Sequence, residues 1–480
     1  MKRNKDILNK NRIILLLIVL FGLSLRLIFF SGVGISDDLA YSRFAHDIDK
    51  GLETQSGLTL STRMGIIYAT SFSYKLLGIN DFSSVLFVLL ASLGNIVLAY
   101  FFGKLLFNQK IALASAFLIS FFPLEVVYST KLLTDLPSAF FMALGVYVFL
   151  YAELKAKKAH RILYLASGLS IGAGYFIRES ALLIALFFIA YILYNRKIKV
   201  EYLLVPLGVL IVLGIESFIF FKLTGDPFFR SSMSQKYLEE ASNFYNNFNR
   251  LDFPKGMFHY PYMILTSGLV SYYYILAFAA ILYFVVMKRK ENYAMMLWFL
   301  PLLAYLSFGS GSLTRYVPFK ATERYLSIIT FPCITLIAAF LHEKKIAIGR
   351  LRPIIILFLF AASIFSVYAR DDRHLLDNLR QLYPYLKNLD KTIYIDKRSM
   401  QALDYISSYG NELNTEEYPS DLRSIKDSYI VINREMIRNL KEANKRLEFP
   451  AEIDRPPNSW TAIEVIGKEE KNRITVYYAR

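Results

Sequence analysis

Long apolar stretches, separated by short clusters of lysine and arginine, occupy most of the sequence between residues 13 and 368. A bilayer core of about 30 Å takes roughly 20 apolar residues per helix, and many of these stretches approach or reach that length. Hydrophobic residues make up 55% of the chain, which is too apolar for a soluble enzyme of 480 residues. We therefore predict a polytopic α-helical membrane protein.

About eleven transmembrane helices account for the pattern, and every basic cluster between them then falls on the same side. The positive-inside rule places that side, and the basic N-terminus, in the cytoplasm. The net charge of +16 comes from these clusters and does not indicate a nucleic-acid partner. The predicted spans are 13–32, 82–103, 111–128, 136–152, 162–177, 181–194, 202–221, 261–287, 293–308, 325–342 and 353–368.

The loop at residues 34–81, between the first two spans, lies on the outer side and carries two short helices. The first begins at Asp37 and Asp38 and has Tyr41, Phe44 and Ala45 on one face. The second, 64–77, is apolar but short and is interrupted by a lysine. We expect both helices to lie along the membrane surface.

Residues 371–480 contain no span and are rich in charge, so we divide the chain into a membrane domain, 1–370, and a C-terminal domain, 371–480. Predicted strands at 392–396 and 428–432 alternate with helices at 373–389, 399–408 and 434–447. A hairpin, 460–466 and 473–478, follows. This alternation predicts a small extracytoplasmic α/β domain.

Three acids face outward: Asp37 and Asp38 in the first outer loop, and Asp135 where the third span turns into the fourth. Carboxylates from two loops can activate an acceptor hydroxyl or amine as general base. Asp37 and Asp135 can instead hold Mg²⁺ or Mn²⁺. Helix capping, by Ser36 or Asp37 and by Thr134 or Asp135, is the structural alternative.

Several cations share the outer side, and guanidinium groups near the interface suit a lipid phosphate or pyrophosphate. The alternative is snorkelling to lipid headgroups or pairing with adjacent acids, Arg178 with Glu179 and Arg324 with Glu323. The candidate phosphate-binding residues are Arg63, Arg178, Arg315, Lys320 and Arg324.

Arg26 and Glu125 lie within apolar stretches, where a charged residue is either functional or part of a buried pair. Both lie toward the outer ends of their spans and could line the same cavity, but we expect a structural role, as a buried pair. The sequence shows no metal-spaced His/Cys cluster, Gly-rich phosphate loop or Ser/His/Asp arrangement, so no nucleotide cofactor is expected. The single cysteine, Cys333, excludes a disulfide within the chain.

The run Asp-Asp-x-x-Tyr-x-x-x-Ala at 37–45, after a basic N-terminus and a span containing an arginine, resembles the integral-membrane glycosyltransferases of the GT-C fold. Glycosyltransferase family 39, the protein O-mannosyltransferases and lipid A aminoarabinose transferases, is the most similar. Supporting segments are Leu77-Gly78, Phe122-Pro123 through Tyr128-Ser129, Asp135 and Arg324-Tyr325. The resemblance covers about 1–370, and the C-terminal domain resembles outer domains of some prokaryotic members.

This resemblance implies an inverting glycosyltransferase of the cell membrane. It would move a sugar from a polyprenyl-phosphate carrier to a hydroxyl or amine of a protein, lipid or glycan. Asp37 would be the catalytic base or a metal ligand, Asp135 the second loop acid, and the cations would hold the donor phosphate. Asp38 departs from the family pattern, in which many members have Glu. The Trp-Trp-Asp signature of oligosaccharyltransferases is missing, which argues against en bloc transfer to asparagine.

Two further interpretations stay open: a transporter or flippase of lipid-linked sugars, and a non-catalytic membrane assembly factor. A transporter usually shows paired halves and polar or broken helices near the midplane. Here no repeat is visible and the polar residues gather at one face.

Overall fold

The computed structural model describes residues 2–52, 59–156, 160–236, 258–311, 316, 321–343, 348–370, 376–410, 412–443, 449–467 and 469–480. Six helices in these ranges are long and apolar enough to cross a bilayer, or seven if one bent pair counts as a single span. The protein is therefore a multi-pass membrane protein.

The helices up to residue 370 follow the predicted order, and short 3₁₀ turns precede five of those described, at Thr59–Thr62, Glu179–Ile184, Val200–Leu203, Lys290–Asn292 and Glu323–Ile329. They are α1 (Lys2–Ile28), α2 (Asp37–Asp49), α3 (Met64–Leu77), α4 (Asp81–Leu106), α5 (Gln109–Ser120), α6 (Pro123–Tyr128), α7 (Asp135–Leu154), α8 (His160–Ile177), α9 (Ala185–Asn195), α10 (Leu204–Thr224), α11 (His259–Thr266), α12 (Ser271–Val286), α13 (Tyr293–Phe308), α14 (Thr330–Leu341) and α15 (Ile348–Ala369).

Every predicted span falls on a helix, but two are not continuous. The third breaks between α5 and α6, where Pro123 begins the second helix and Phe122 before it is extended, as expected for a residue preceding proline. The eighth bends by 107° between α11 and α12. The count of eleven crossings stays a prediction, since several of the helices are short.

Three helices form the centre of the membrane domain. The apolar segments of α4, of α7, and of α14 together with the turn before it are 61%, 67% and 89% buried. Those of α10 and α15 are only 22% buried. The outer pair α8 and α10 approach so closely that a Cβ on Gly168 would lie 2.0 Å from the carbonyl oxygen of Val205. Small residues at such crossings let helix backbones pack closely in a membrane.

Arg26 and Glu125 form the buried pair predicted from the sequence. Arg26 is fully buried and donates to Ser92 Oγ at 2.8 Å and to the carbonyl oxygens of Gly22 and Ser120 at 2.9 Å. Glu125 accepts from Ser92 and Asn95 and lies 3.8 Å from the guanidinium. The pair thus joins α1 and α4 to the break between α5 and α6, which is a structural role.

The C-terminal region folds as the predicted α/β unit. Its helices are α16 (Asp377–Leu386), α17 (Lys397–Ile406), α18 (Arg434–Ala443) and α19 (Ala451–Asp454), and its strands are β1 (Ile393–Ile395), β2 (Thr415–Glu417), β3 (Ser428–Asn433), β4 (Trp460–Ile466) and β5 (Ile474–Ala479). The sheet order is β2-β1-β3-β5-β4, with β1 parallel to both neighbours and β5 antiparallel to both of its own. Sequence reasoning missed β2, a short edge strand of Thr-Glu-Glu that carries no apolar signal.

The α/β unit packs on α2, the helix that begins at Asp37. Tyr409 Oη donates to Ser42 Oγ at 2.8 Å, and its ring stacks on His46 at 4.5 Å between centroids. Asp81, at the start of α4, accepts from Tyr405 at 2.8 Å and from Arg380 at 2.6 Å. The domain boundary near residue 370 stays a prediction, but these contacts hold the C-terminal elements over the outer loop.

Candidate active site

Asp37 is the first residue of α2, whose apolar face packs into the membrane domain through Tyr41, Phe44 and Ala45. That packing fixes the start of the helix and therefore the position of the carboxylate. Asp37 Oδ2 accepts a hydrogen bond from Arg324 Nη2 at 3.1 Å, and its side chain remains 30% exposed. Ser36 makes no capping hydrogen bond, so capping does not account for this acid.

Asp135 is the first residue of α7 and is almost completely buried. One carboxylate oxygen accepts from Arg178 Nη1, and the other lies 3.8 Å from Arg324 Nε. This second oxygen accepts no hydrogen bond from any residue that the structure describes. Thr134 does not cap α7 through its side chain. Arg324 therefore lies between two carboxylates from different outer loops.

The arginines do not pair with their sequence neighbours, so that part of the alternative interpretation is wrong. Arg178 bonds Asp135 rather than Glu179, and Arg324 bonds Asp37 rather than Glu323. In both cases the packing of the helices directs the guanidinium towards an acid that is distant in the sequence. The guanidinium of Arg178 also lies 4.4 Å from the centroid of the Tyr325 ring, which fixes its orientation.

Arg63 joins the same group from the turn before α3. It donates to the hydroxyl of Tyr41, and its Nε lies 3.9 Å from Glu179. Glu179 in turn accepts from Arg230 Nε at 3.0 Å. A chain of alternating charges therefore runs from Arg63 through Glu179 to Arg230.

Sequence reasoning missed the ion pairs of Arg230, at the far end of this chain of charges. Arg230, in a helical stretch at 229–236, is 3% exposed and bonds Glu216 on α10. The available signal was Glu216, an acid inside the predicted span 202–221. Intramembrane acids default to a paired or functional role, and the partner could have been sought in the adjoining loop.

Asp38 has a different environment from Asp37. It is 2% exposed, and its Oδ2 accepts from the backbone N–H of Leu132 at 3.0 Å. Burial raises the pKa of Asp38 to about 6, although the nearby Lys131 opposes the shift. These contacts tie the beginning of α2 to the loop at 131–133, so the two adjacent acids have separate surroundings.

A cavity of about 550 Å³ lies between the outer loops and the α/β unit. The membrane domain contributes Asp38, Lys131 and Arg324 to its lining, and α17 and α18 contribute Arg398 and Asn439. Small-molecule sites are typically clefts of about 300–1,000 Å³ with a few placed polar groups. Because Arg324 also bonds Asp37, the carboxylate cluster and the cavity form one site.

The structure thus brings together Asp37, Asp135, Arg63, Arg178 and Arg324, whereas Arg315 and Lys320 lie outside the described residues. Within the described ranges, no group of three or more His, Cys, Asp or Glu side chains has an arrangement that could hold a metal ion. A divalent cation between Asp37 and Asp135 would stand beside the guanidinium of Arg324, which already compensates both carboxylates. This donor set does not fit such an ion.

The fold belongs to a known class of membrane enzymes, the GT-C glycosyltransferases, which confirms the fold predicted from the sequence. ArnT from Cupriavidus metallidurans bound to undecaprenyl phosphate aligns over 96% of this chain and 97% of its own, with a TM-score of 0.60 and 12% identity. The Archaeoglobus fulgidus oligosaccharyltransferase in complex with Zn and sulfate aligns over 88% of this chain and 68% of its own, with a TM-score of 0.54 and 12% identity.

The family comparison is more specific and also agrees with the sequence resemblance. Residues 64–220, from the start of α3 into α10, match the model of the family described as dolichyl-phosphate-mannose-protein mannosyltransferase. That segment contains Asp135 and Arg178. A search of curated protein sequences finds no match.

Proposed function

We propose that this protein transfers one sugar, with inversion, from a polyprenyl-phosphate carrier to a hydroxyl or amine acceptor on the extracytoplasmic side of the membrane. The observation that carries the proposal is the environment of Asp37. It is a partly exposed carboxylate, bonded to a guanidinium that lines a cavity over the membrane domain. The GT-C fold and the family match support a lipid-linked donor.

Asp37 acts as the general base in this proposal. It accepts the proton of the acceptor hydroxyl or amine as the acceptor oxygen or nitrogen bonds to the anomeric carbon. The bond between that carbon and the phosphate oxygen breaks, and the electron pair leaves with the polyprenyl phosphate. A single displacement inverts the anomeric centre. Arg324 orients the carboxylate of Asp37 through their hydrogen bond.

The arginines stabilise the charge that develops on the departing phosphate. Arg324 faces the cavity, and Arg63 and Arg178 lie on the neighbouring turns. Guanidinium groups make bidentate contacts with phosphate, and preorganised donors aimed at developing charge are a large catalytic term. Asp135 positions Arg178 and Arg324, because it is buried between them. We assign Asp38 to positioning the loop at 131–133.

We propose that the reaction is metal-independent, and the same contacts support this. If Arg324 supplies the positive charge next to Asp37 and Asp135, transfer persists after Mg²⁺ and Mn²⁺ are removed with EDTA. Restoring either ion then changes the rate by less than twofold. A loss of activity with EDTA that is recovered with Mn²⁺ would show that the sequence-based expectation of a metal site is right and that Arg324 moves aside.

The outward orientation of the site rests on the positive-inside pattern. The positive-inside pattern indicates that the basic clusters between the spans mark the cytoplasmic face, and on that reading Asp37, Asp135 and the α/β unit lie on the extracytoplasmic side. The flippase and assembly-factor alternatives gain no support from the family match, whose description is that of a transferase.

The test is sugar transfer in proteoliposomes that contain radiolabelled dolichyl-phosphate mannose as the first donor, chosen from the family description. Asp37→Asn is expected to lower the release of polyprenyl phosphate by at least 100-fold. Asp49→Asn, at the far end of the same helix, is the matched control and retains the wild-type rate. Intact donor crossing the bilayer without cleavage would refute the transferase and favour the flippase.

A further inference from the structure

The cavity over the membrane domain has a wall that the catalytic proposal does not use. Two helices of the α/β unit supply it: α17 contributes Arg398, and α18 contributes Met436, Asn439 and Leu440. These residues face the outer loop that carries Asp38 across the cavity. A group bound between the two walls would touch both the membrane domain and the C-terminal unit.

Arg398 differs from the other arginines at this site because no carboxylate in the described part of the chain forms an ion pair with it. Arg63, Arg178 and Arg324 each form an ion pair with Asp or Glu. Arg398 makes one long hydrogen bond, to Gln401 Oε1 at 3.4 Å, and no acid within the described ranges lies at ion-pair distance from it. Its side chain is partly buried and lines the cavity.

The lining as a whole favours an anion. It contains three cations, Lys131, Arg324 and Arg398, but one carboxylate, Asp38, which is buried against the backbone of Leu132. A half-buried guanidinium with no carboxylate partner among the described residues is stabilised by a bound phosphate or carboxylate, which it contacts through two parallel N–H groups.

The location of Arg398 indicates which of the two substrates carries the anion that this arginine binds. The lipid tail of the donor stays in the bilayer, so its phosphate is held at the membrane surface, where Arg63, Arg178 and Arg324 cluster. Arg398 lies in the α/β unit, which packs on the outward side of α2. An anion reaching Arg398 therefore belongs to the group that enters from outside, which is the acceptor.

We propose that Arg398 binds a phosphate or carboxylate of the acceptor, so that this transferase selects an anionic acceptor. The inference rests on the proposed function and names its substrate class. The hydroxyl or amine that reacts lies next to Asp37, and the anionic group of the same molecule lies under α17. Asn439 supplies a further polar contact from α18.

A binding experiment tests the assignment without requiring turnover. The purified full-length protein is titrated with glycerol phosphate, with glycerol as the neutral probe and with polyprenyl phosphate as the donor-side probe. Arg398→Gln is expected to weaken glycerol phosphate binding by about 10- to 100-fold, the usual loss for a charge-assisted hydrogen bond. Lys397→Gln, an exposed neighbour on α17, leaves it unchanged.

The outcomes separate the two possible sources of the anion. If Arg398→Gln weakens the binding of polyprenyl phosphate instead of glycerol phosphate, the anion belongs to the donor and the proposal is overturned. The proposal also fails if the variant binds every probe as the wild type does. The Asp37→Asn transfer assay is independent of these titrations, so failure of the proposed reaction is recognised separately.

A product analysis gives a second measurement. Labelled donor is added to native membranes that contain the wild-type protein, and the labelled product is applied to an anion-exchange column. We expect the product to be retained at a pH where phosphate and carboxylate are ionised, and its yield to fall at least tenfold with Arg398→Gln. A product that passes through unretained would overturn the proposal.

Discussion

Replacing Arg26 with Met tests whether the charge pair inside the membrane domain is structural. The guanidinium is fully buried and bonds Ser92 together with two backbone carbonyl groups, while Glu125 lies 3.8 Å away. In Arg26→Met the carboxylate of Glu125 stays buried with only Ser92 and Asn95 as donors. Breaking one side of a buried ion pair typically costs about 3–5 kcal/mol.

The double variant supplies the decisive comparison. In Arg26→Met with Glu125→Gln no uncompensated charge remains, and the introduced amide can still meet Ser92 and Asn95. We therefore expect the two losses to be non-additive by about 2 kcal/mol or more. The free energy of unfolding is measured by denaturation in mixed micelles. Arg12→Met, near the exposed start of α1, is the control and changes the unfolding free energy by less than about 0.5 kcal/mol.

Sugar transfer by the folded fraction completes the test. A structural pair predicts that Arg26→Met, once folded, transfers sugar within twofold of the wild-type rate. The reasoning would be refuted if Arg26→Met changed the unfolding free energy by less than about 1 kcal/mol and abolished transfer, because the pair would then act on the substrate.

Three further perturbations follow from the structure. The folded-state pKa of Asp38, about 6, lies above its usual value of about 3.9. The free energy of unfolding is therefore highest below about pH 4, where the buried carboxyl is protonated, and it falls as the pH rises through 6. Asp38→Asn therefore removes about 3 kcal/mol of pH dependence between pH 4 and 7, and an unchanged slope of the unfolding free energy would contradict this. Gly168→Ala places a methyl group against the carbonyl oxygen of Val205 and lowers stability by about 2 kcal/mol or more; Gly214→Ala, which meets nothing within 4 Å, serves as control. Arg230→Met leaves Glu216 unpaired and lowers stability by about 3 kcal/mol, and a thermal unfolding midpoint equal to that of the wild type would rule out the pair as a stabilising contact.

Local sequence patterns predicted the helices and most strands because their causes are local. Apolar length defines a span, and the spacing of Tyr41, Phe44 and Ala45 defines the buried face of α2. The break before Pro123 also has a local cause, although apolar length alone predicts one continuous span there. The edge strand at Thr415–Glu417 has no local cause, because it forms by pairing with β1, which lies more than twenty positions away.

The sequence by itself determined the membrane class, and it predicts the outer side and the acids that lie there, since charge distribution and hydropathy act through the bilayer rather than through specific contacts. Only the tertiary structure decided which cation meets which acid. Arg178 reaches Asp135 across 43 positions, and Arg324 reaches Asp37 across 287. The adjacent acids suggested other partners, but helix packing sets the direction of each side chain. The same packing placed Arg398 of the α/β unit at the cavity, a contact that no pattern within residues 371–480 reveals.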